Sequence, residues 1–445
     1  MEFTSTRDDA LRVGIEQALN SGLAPDGGLY VPTRLPDFDP AGFEPGLGLP
    51  ECALQALAPY FDGSSLAARL DAICREAFDI PLPVTRLDDA GPAWMLELFH
   101  GPTAAFKDFA ARFLAGCLAA LHDRAGPDRT VLVATSGDTG AAVAAAFHDR
   151  PGFRVVVLYP DRRVSARQAH QLGAFGGNVH TYRVQGDFDD CQRLVKQALA
   201  DRRLAARLGL TSANSISIGR LLPQTAYYAQ ASLRLVPGAT GGGPIDVIVP
   251  TGNLGNALAC IVARESGFAI GEIWLATNAN RTLPEYFESG RYRGRAGIRT
   301  LANAMDVGDP SNFERLEWLY RVLKSGDDPR ASRIGAESID DETIRATIRD
   351  EFERHDRIVC PHTACAMALL GRLRKRGHDR PVLVAATAHP AKFETVIEPV
   401  VGRTIEPPEA LAELLGRPSR ADSLEPDYDA LVRALDGLAN NPANR

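Results

Sequence analysis

The chain has 445 residues, 45% of them hydrophobic and 24% charged, a composition typical of a globular protein with room for two or more domains. No run of 18 or more apolar residues occurs, so we expect no membrane-spanning helix, and the first residues lack the features of a signal peptide. The 49 basic and 56 acidic residues give a net charge of −7, which argues against nucleic-acid binding. Seven widely spaced cysteines without a Cys-x-x-Cys pair favour reduced thiols in the cytoplasm and predict no metal site.

The predicted elements change in character near residue 85. Residues 1–85 are predicted to be mainly helical, with loops rich in Gly and Pro, and the prolines at 81 and 83 mark a boundary. Beyond it, short runs of Val, Ile, Leu and Ala alternate with helical patterns. The predicted strands are 94–99, 131–135, 155–159, 179–184, 245–249, 273–277 and 381–386; the predicted helices are 106–121, 141–147, 189–199, 218–235 and 257–265. This alternation predicts an α/β fold with parallel sheets covered on both faces.

Lys107 is a candidate for chemistry that an arginine cannot perform. Only five of the 49 basic residues are lysines, and Lys107 falls in the segment FHGPTAAFKDF (99–109), between a predicted strand and a predicted helix. Apolar neighbours and a nearby helix N-terminus disfavour the charged form of the amine, which makes it competent to form a Schiff base. A surface lysine that pairs with Asp108 is the alternative.

Further polar turns directly follow predicted strands, where parallel sheets bind their ligands. The segment TSGDTG (135–140) can hold an anion through its backbone, or it is an ordinary helix cap. The segment TGNLGN (251–256) is a more specific candidate for binding a phosphate, although it matches neither a dinucleotide-binding nor a Walker A motif. In ATAHPAK (386–392), Thr387 offers a hydroxyl. The segment NSISIGR (214–220) ends on Arg220, which is either an anion ligand or an exposed arginine at a capped helix.

Taken together, these segments resemble the threonine synthase family, pyridoxal-phosphate enzymes of fold type II, the tryptophan synthase β fold. The resemblance covers nearly the whole chain. It is carried, in the family's order, by SGLAPDGGLYVP (21–32), the lysine segment 99–109, AMDVGDPSNF (304–313) and PHTA (361–364). The chain departs from the family's pattern at Asp8, Ser217, Leu254 and Cys360, and Ser217 lies in the region expected to bind the substrate phosphate.

The resemblance implies a domain organisation. Residues 1–85 are expected to form an N-terminal domain of the threonine synthase type. Residues 86–445 are expected to form the pyridoxal-phosphate-dependent catalytic region, with two α/β lobes, the smaller at roughly 110–220 and the larger from the remainder.

The resemblance also implies roles for individual residues. Lys107 is expected to form the Schiff base with pyridoxal phosphate, and Thr387 to face its pyridine nitrogen. The cofactor phosphate is expected to lie on Gly252, Asn253, Leu254, Gly255 and Asn256. The substrate carboxylate is expected on Ser136, Gly137, Asp138 and Thr139, and the substrate phosphate on Ser215 and Arg220, with Lys392 as a further candidate for the departing phosphate.

The implied reaction converts O-phospho-L-homoserine and water into L-threonine and phosphate, the last step of threonine biosynthesis. A pyridoxal-phosphate-dependent phospho-lyase or a serine or threonine dehydratase on the same fold is the alternative, and a non-catalytic amino-acid sensor is a third hypothesis. A small-molecule substrate is the expected partner, and the chain is expected to be a monomer or a homodimer.

Overall fold

A computed structural model describes residues 1–87, 91–122, 127–161, 164–239, 242–323 and 329–439. The described strands are β1 Glu2–Ser5, β2 Val13–Gly14, β3 Tyr30–Pro32, β4 Val84–Arg86, β5 Ala93–Glu97, β6 Arg129–Ala134, β7 Phe153–Pro160, β8 Val179–Val184, β9 Leu210–Ser212, β10 Ile245–Pro250, β11 Ile270–Thr277, β12 Ile334–Ser338, β13 Val382–Ala386 and β14 Asp422–Leu424.

The α-helices of the same residues are α1 Ile15–Ser21, α2 Leu49–Phe61, α3 Leu70–Ala77, α4 Lys107–Leu121, α5 Asp138–Phe147, α6 Ala166–Gly173, α7 Phe188–Ala200, α8 Arg202–Leu208, α9 Ile218–Leu221, α10 Thr225–Ala239, α11 Gly255–Glu265, α12 Thr282–Ser289, α13 Phe313–Trp318, α14 Asp341–His355, α15 Pro361–Lys375, α16 Glu394–Val401, α17 Glu409–Leu415 and α18 Tyr428–Ala439. Across the described ranges, none of these helices has the length and apolarity needed to cross a membrane.

The N-terminal residues combine helices with a small sheet. Strands β2, β1 and β3 form an antiparallel sheet in that order, and α1, α2 and α3 follow or flank it. Helices were predicted for this part of the chain, and the sheet is an addition to that prediction. Its strands are two to four residues long, too short to leave a clear alternation in the sequence.

The larger sheet has six strands in the order β12-β11-β10-β13-β5-β4. All neighbouring pairs are parallel except β4 with β5, so β4 is an antiparallel edge strand. Strand β10 is buried along its whole length, as expected for a central strand covered by helices on both faces.

The smaller sheet has five parallel strands in the order β14-β8-β7-β6-β9. Four of them come from residues 129–212, but the edge strand β14 comes from the C-terminal part of the chain. Helix α18 follows β14, and its Leu431 and Leu435 join Leu424 in the same buried cluster as Leu194 of α7. The C-terminal segment therefore completes the smaller lobe, although the sequence-based division assigned it to the larger one.

The predicted helix 218–235 is interrupted. The chain forms α9, a short 3₁₀ segment at Leu222–Gln224, and then α10. Pro223 lies in the 3₁₀ segment, and it has no N–H with which to continue an α-helix. Arg220 therefore lies on the short α9, which the 3₁₀ segment separates from α10.

Candidate active site

A cavity of about 1290 Å³ lies at the carboxyl ends of strands from both parallel sheets. Its wall includes the turns that follow β6, β10 and β13, together with the start of α4. The predicted site residues that line it are Lys107, Ser136, Asp138, Thr139, Ser215, Arg220, Gly252, Asn253, Leu254, Gly255, Asn256 and Thr387. The volume is ample for a small cofactor together with a small substrate.

Lys107 is the first residue of α4, and it lines the cavity. Its Nζ lies 4.5 Å from the centroid of the Phe106 ring. Burial lowers the pKa of the amine to about 8, with the charge of Asp138 opposing this shift and the charges of Lys392 and Arg220 adding to it. The amine is therefore much closer to its neutral, nucleophilic form at neutral pH than an ordinary lysine.

Backbone hydrogen bonds place Lys107 beside Thr387. The Phe106 N–H donates to the Thr387 carbonyl at 2.9 Å, and the His389 N–H donates to the Ala104 carbonyl at 3.0 Å. Ala104 has a φ of 55°, a left-handed conformation that is strained for a residue other than glycine. The loop before α4 is thus held against the chain that leaves β13.

Asp108 shapes the same loop and shows no direct ion pair with Lys107 among the described contacts. Its carboxylate accepts a 2.9 Å hydrogen bond from the Thr103 N–H and a 2.5 Å hydrogen bond from the Thr103 hydroxyl. A Cβ at Gly101 would lie 2.4 Å from an Asp108 carboxylate oxygen, so only glycine fits there. The surface lysine pairing with Asp108, the alternative left open by the sequence, does not describe this arrangement.

The turn after β10 leads into the N-terminus of α11. Leu254 has a φ of 62° and directly precedes the first helical residue, Gly255. A Cβ at Gly252 would lie 2.7 Å from the Cα of Met305, so the loop passes very close to a neighbouring backbone. The first N–H groups of α11 have no partner within the helix, and this N-terminus lines the cavity. An anion is favoured there.

The side chains of this turn are used mainly to hold the turn itself. Asn253 donates to the Ser215 hydroxyl at 2.8 Å and accepts from the Ser311 N–H at 2.7 Å. Asn256 accepts from the hydroxyls of Tyr227 and Tyr228, at 2.6 and 2.9 Å. Ser215 is therefore joined to the turn after β10 by its own hydroxyl.

The turn after β6 is also held from within. The Thr135 hydroxyl accepts hydrogen bonds from the Gly137 and Gly140 N–H groups at 2.9 and 2.8 Å. Gly137 has a φ of 137°, and a Cβ there would lie 2.7 Å from Gln168 Nε2. The Asp138 carboxylate accepts from Gln168 at 2.9 Å and pairs with Lys392 at 2.8 Å. The Asp138 carboxylate would repel a bound anion. The suitable anion ligands of this turn are therefore its backbone N–H groups and hydroxyls.

Two buried donors that face the cavity have unused hydrogen-bonding capacity. Arg220 donates to the Ala213 carbonyl at 2.6 Å, but its Nε has no hydrogen-bond partner, and burial lowers the pKa of the guanidinium to about 10. Asn256 Nδ2 also lacks a partner. Buried donors are normally satisfied, so both are consistent with an anionic ligand.

Several cavity residues were not predicted as site residues. His362 on α15 accepts the Ala304 N–H at Nε2 over 3.1 Å, and burial lowers the pKa of its ring to about 4, so the ring is neutral. Burial raises the pKa of Asp306, which also lines the cavity, to about 7. Both lie in segments quoted for the family resemblance, 304–313 and 361–364, which was the available signal.

Cys360, one of the departures from the family's pattern, has a local explanation. Cys360 caps α15, because its Sγ accepts the Thr363 N–H at 3.4 Å, the role that an aspartate would have there. Ser217 is fully buried, and its hydroxyl has no hydrogen-bond partner.

Lys392, the further candidate for the departing phosphate, is bound to Asp138 and to the Thr103 carbonyl, at 2.8 and 2.7 Å. These contacts occupy its amine.

Comparison with known proteins agrees with this geometry. A family described as pyridoxal-phosphate dependent enzyme matches residues 80–387. Two families described as threonine synthase N terminus and threonine synthase, C-terminal match residues 2–78 and 363–435. The threonine synthase of Escherichia coli is 39% identical over 438 residues, which cover 98% of this chain and 99% of that protein.

This chain belongs to the threonine synthase family. The threonine synthase of Serratia marcescens is 37% identical and covers 98% of this chain and 100% of its own. The crystal structure of pyridoxal-phosphate-bound threonine synthase from Brucella melitensis has a TM-score of 0.88 at 33% identity, and the match covers 99% of this chain and 100% of that one. These matches confirm the predicted family, fold type, enzyme class and cofactor.

The cavity residues fit pyridoxal phosphate. Lys107 offers an enclosed amine with a pKa of about 8 for the aldehyde. The N-terminus of α11 offers N–H groups for a phosphate, and the turn before it comes too close to Met305 for a larger residue at Gly252. Thr387 contributes a hydroxyl next to the Lys107 loop.

Proposed function

We propose that this chain converts O-phospho-L-homoserine and water into L-threonine and inorganic phosphate. The observation that carries the proposal is the Lys107 amine, with its pKa lowered to about 8, in a cavity that also holds two anion-binding turns and a buried arginine with a free Nε. A substrate with a carboxylate and a phosphate needs such a distribution of donors.

Bound pyridoxal phosphate supplies an electron sink for negative charge that develops on the substrate. In the proposal, Lys107 binds its aldehyde, and the backbone of residues 252–256 holds its phosphate at the N-terminus of α11. The hydroxyl of Thr387 would face the pyridine nitrogen, and this neutral group would leave the nitrogen less protonated than a carboxylate would.

The substrate is held at two ends. The turn of residues 136–139 binds the substrate carboxylate through its backbone N–H groups and hydroxyls, while the Asp138 carboxylate stays paired with Lys392. Arg220 and Ser215 bind the substrate phosphate. The unpartnered Arg220 Nε and the position of Ser215 beside the turn after β10 support these roles.

Lys107 moves the protons. As a free amine, Lys107 would take the proton from Cα, and the proton that leaves Cβ would go to the departing phosphate. Lys107 would then give its proton to Cγ, take a proton from the water that adds to Cβ, and pass this proton to Cα. One enclosed amine can serve neighbouring carbons because it stays within reach of them all.

We also propose how the chain is divided into domains. Residues 1–85 form the N-terminal domain and residues 86–445 the catalytic region, with the smaller lobe built on roughly 110–220 and completed by β14 and α18. We propose that the chain works in the cytoplasm as a monomer or a homodimer. Seven free, buried cysteines support a reducing compartment.

The test is incubation of the holoenzyme with O-phospho-L-homoserine, followed by phosphate measurement and amino-acid analysis. Phosphate and threonine in equal amounts are expected. A 2-oxo acid as the product would favour the lyase or dehydratase alternative, and no phosphate release would contradict the proposal.

A further inference from the structure

Lys392 is a second lysine near the reacting amine, and it is buried deeply. It lies in the short 3₁₀ segment Pro390–Phe393 that follows β13, and its side chain is 1% exposed. Its Nζ contacts Asp138 Oδ1 at 2.8 Å and donates to the Thr103 carbonyl at 2.7 Å. A buried ammonium costs much free energy unless it is paired, so this placement needs a reason.

The ion pair joins parts of the chain that form different walls of the cavity. Asp138 begins α5 on the smaller sheet, Thr103 lies in the loop before Lys107, and Lys392 follows β13 of the larger sheet. The Ser165 hydroxyl also donates to the Lys392 carbonyl at 2.9 Å. Lys392 therefore fixes the turn after β6 relative to the Lys107 loop.

The ion pair also controls the charge beside Lys107. Burial alone would raise the pKa of Asp138, but the charges of Lys392 and Lys107 and the hydrogen bond from Lys392 hold this pKa well below its usual range. Asp138 is therefore an anion, and an anion near Lys107 favours the protonated amine. The positive charge of Lys392 offsets the negative charge of Asp138.

We propose that Lys392 is a positioning residue for this reaction: it holds the Asp138 carboxylate and balances its charge, so that this carboxylate does not hold the Lys107 amine in its protonated form. The inference rests on the proposed function and deepens it. Without Lys392, the Asp138 carboxylate becomes the nearest counter-ion for a protonated Lys107. The charged or titratable groups that act on Lys107 are Asp138, Lys392, Arg220, Asp108 and His362.

The experiment measures the protonation of Lys107 directly. Full-length protein freed of cofactor is acetylated with acetic anhydride at a series of pH values, and mass spectrometry gives the extent of labelling at Lys107. In the unsubstituted protein, we expect a midpoint near pH 8. The substitution Lys392→Met should raise it by about one unit, the lower end of the effect of a neighbouring charge. Lys375→Met, which removes an exposed lysine, should leave it unchanged.

Two further variants keep the test decisive if Lys392→Met does not fold. Asp138→Asn removes the anion, so the Lys107 midpoint should fall. The double variant Lys392→Met with Asp138→Asn should have a higher midpoint than Asp138→Asn alone, because only the charge of Lys392 differs between them. Equal midpoints in this pair, or in Lys392→Met and the unsubstituted protein, would overturn the inference.

A purely structural role for Lys392 predicts no such shifts. The labelling contains no substrate, so this inference can fail while phosphate and threonine are still produced. Conversely, a different product from O-phospho-L-homoserine would reject the proposed function and leave the labelling result intact.

Discussion

At the scale of single residues, two buried arginines differ in how many of their hydrogen-bond donors the fold uses. Arg315 is 1% exposed, and it donates to the Tyr30 and Ile216 carbonyls and to Asn312 Oδ1, at 3.0, 2.6 and 2.7 Å. Its donors are occupied by the fold. Arg220 is buried to a similar degree but keeps a free Nε toward the cavity. Of these two arginines, Arg220 is therefore the one with capacity for an anion.

Replacing Arg220 with Met should weaken substrate binding and phosphate departure. A hydrogen bond to a charged group contributes about 1.5–3 kcal/mol, so we expect kcat/KM for O-phospho-L-homoserine to fall roughly 10- to 100-fold. Cofactor affinity should change little. Arg129→Met is the matched control, because Arg129 is a half-buried arginine of the smaller sheet that bonds to Asn20 instead. Loss of cofactor with an unchanged KM would assign Arg220 to the cofactor phosphate.

The turn after β10 offers a matched pair of glycines. At Gly252 a Cβ would lie 2.7 Å from the Met305 Cα, so Gly252→Ala must displace backbone. At Gly255 the nearest atom would be 3.7 Å away, so Gly255→Ala fits. We expect the first substitution to weaken pyridoxal-phosphate binding roughly tenfold, a loss of about 1.4 kcal/mol, and the second to leave it unchanged. Fluorescence titration of the cofactor-free protein measures both, and equal affinities would contradict the proposed phosphate turn.

The site residues that could be predicted from the sequence lie in segments that follow strands. The carboxyl end of a strand in a parallel sheet predicts where a ligand binds. Lys107, Thr387 and the turn of residues 251–256 line one cavity on that basis. His362 and Asp306 were missed as site residues. Neither directly follows a predicted strand, and the neutral ring of His362 depends on a contact with Ala304 that is distant in sequence.

At the scale of elements, long buried strands were predictable and short edge strands were not. The strand predicted at residues 179–184 is found with the same bounds, and 155–159 lies within β7. Strands β9 and β14 were missed, since each has only three residues and β14 is mostly exposed. Their place depends on pairing with β6 and β8, which no local pattern records.

The C-terminal helix α18 gives a stability prediction at this scale. Leu431 is fully buried in the cluster of the smaller lobe, so Leu431→Ala should lower the free energy of unfolding by about 2–5 kcal/mol. Arg433→Ala, on the exposed side of the same helix, should change it by about 0.5 kcal/mol or less. Urea unfolding followed by circular dichroism compares the two. A Leu431→Ala protein as stable as the Arg433→Ala protein would show that α18 contributes little to this lobe.

At the scale of the whole molecule, the cavity is lined by the N-terminal segment and by turns that follow strands of both larger sheets. The N-terminal residues contribute Arg7 and Leu29 to its wall. Arg7 makes a bidentate ion pair with Glu314, with N–O distances of 2.9 and 3.0 Å. Residues 21–32 were predicted to carry a family signature, but their proximity to the cavity follows from the tertiary structure. A function centred on one enclosed amine thus depends on the packing of distant segments.

The most direct test of the proposed function is the identity of the lysine that binds the cofactor. The holoenzyme is reduced with borohydride and digested, and the peptides are identified by mass spectrometry. We expect a pyridoxyl label on the peptide that contains Lys107, and neither label nor turnover in a Lys107→Ala protein. A label on any other lysine, or on no peptide, would contradict the assignment of Lys107 as the cofactor-binding residue.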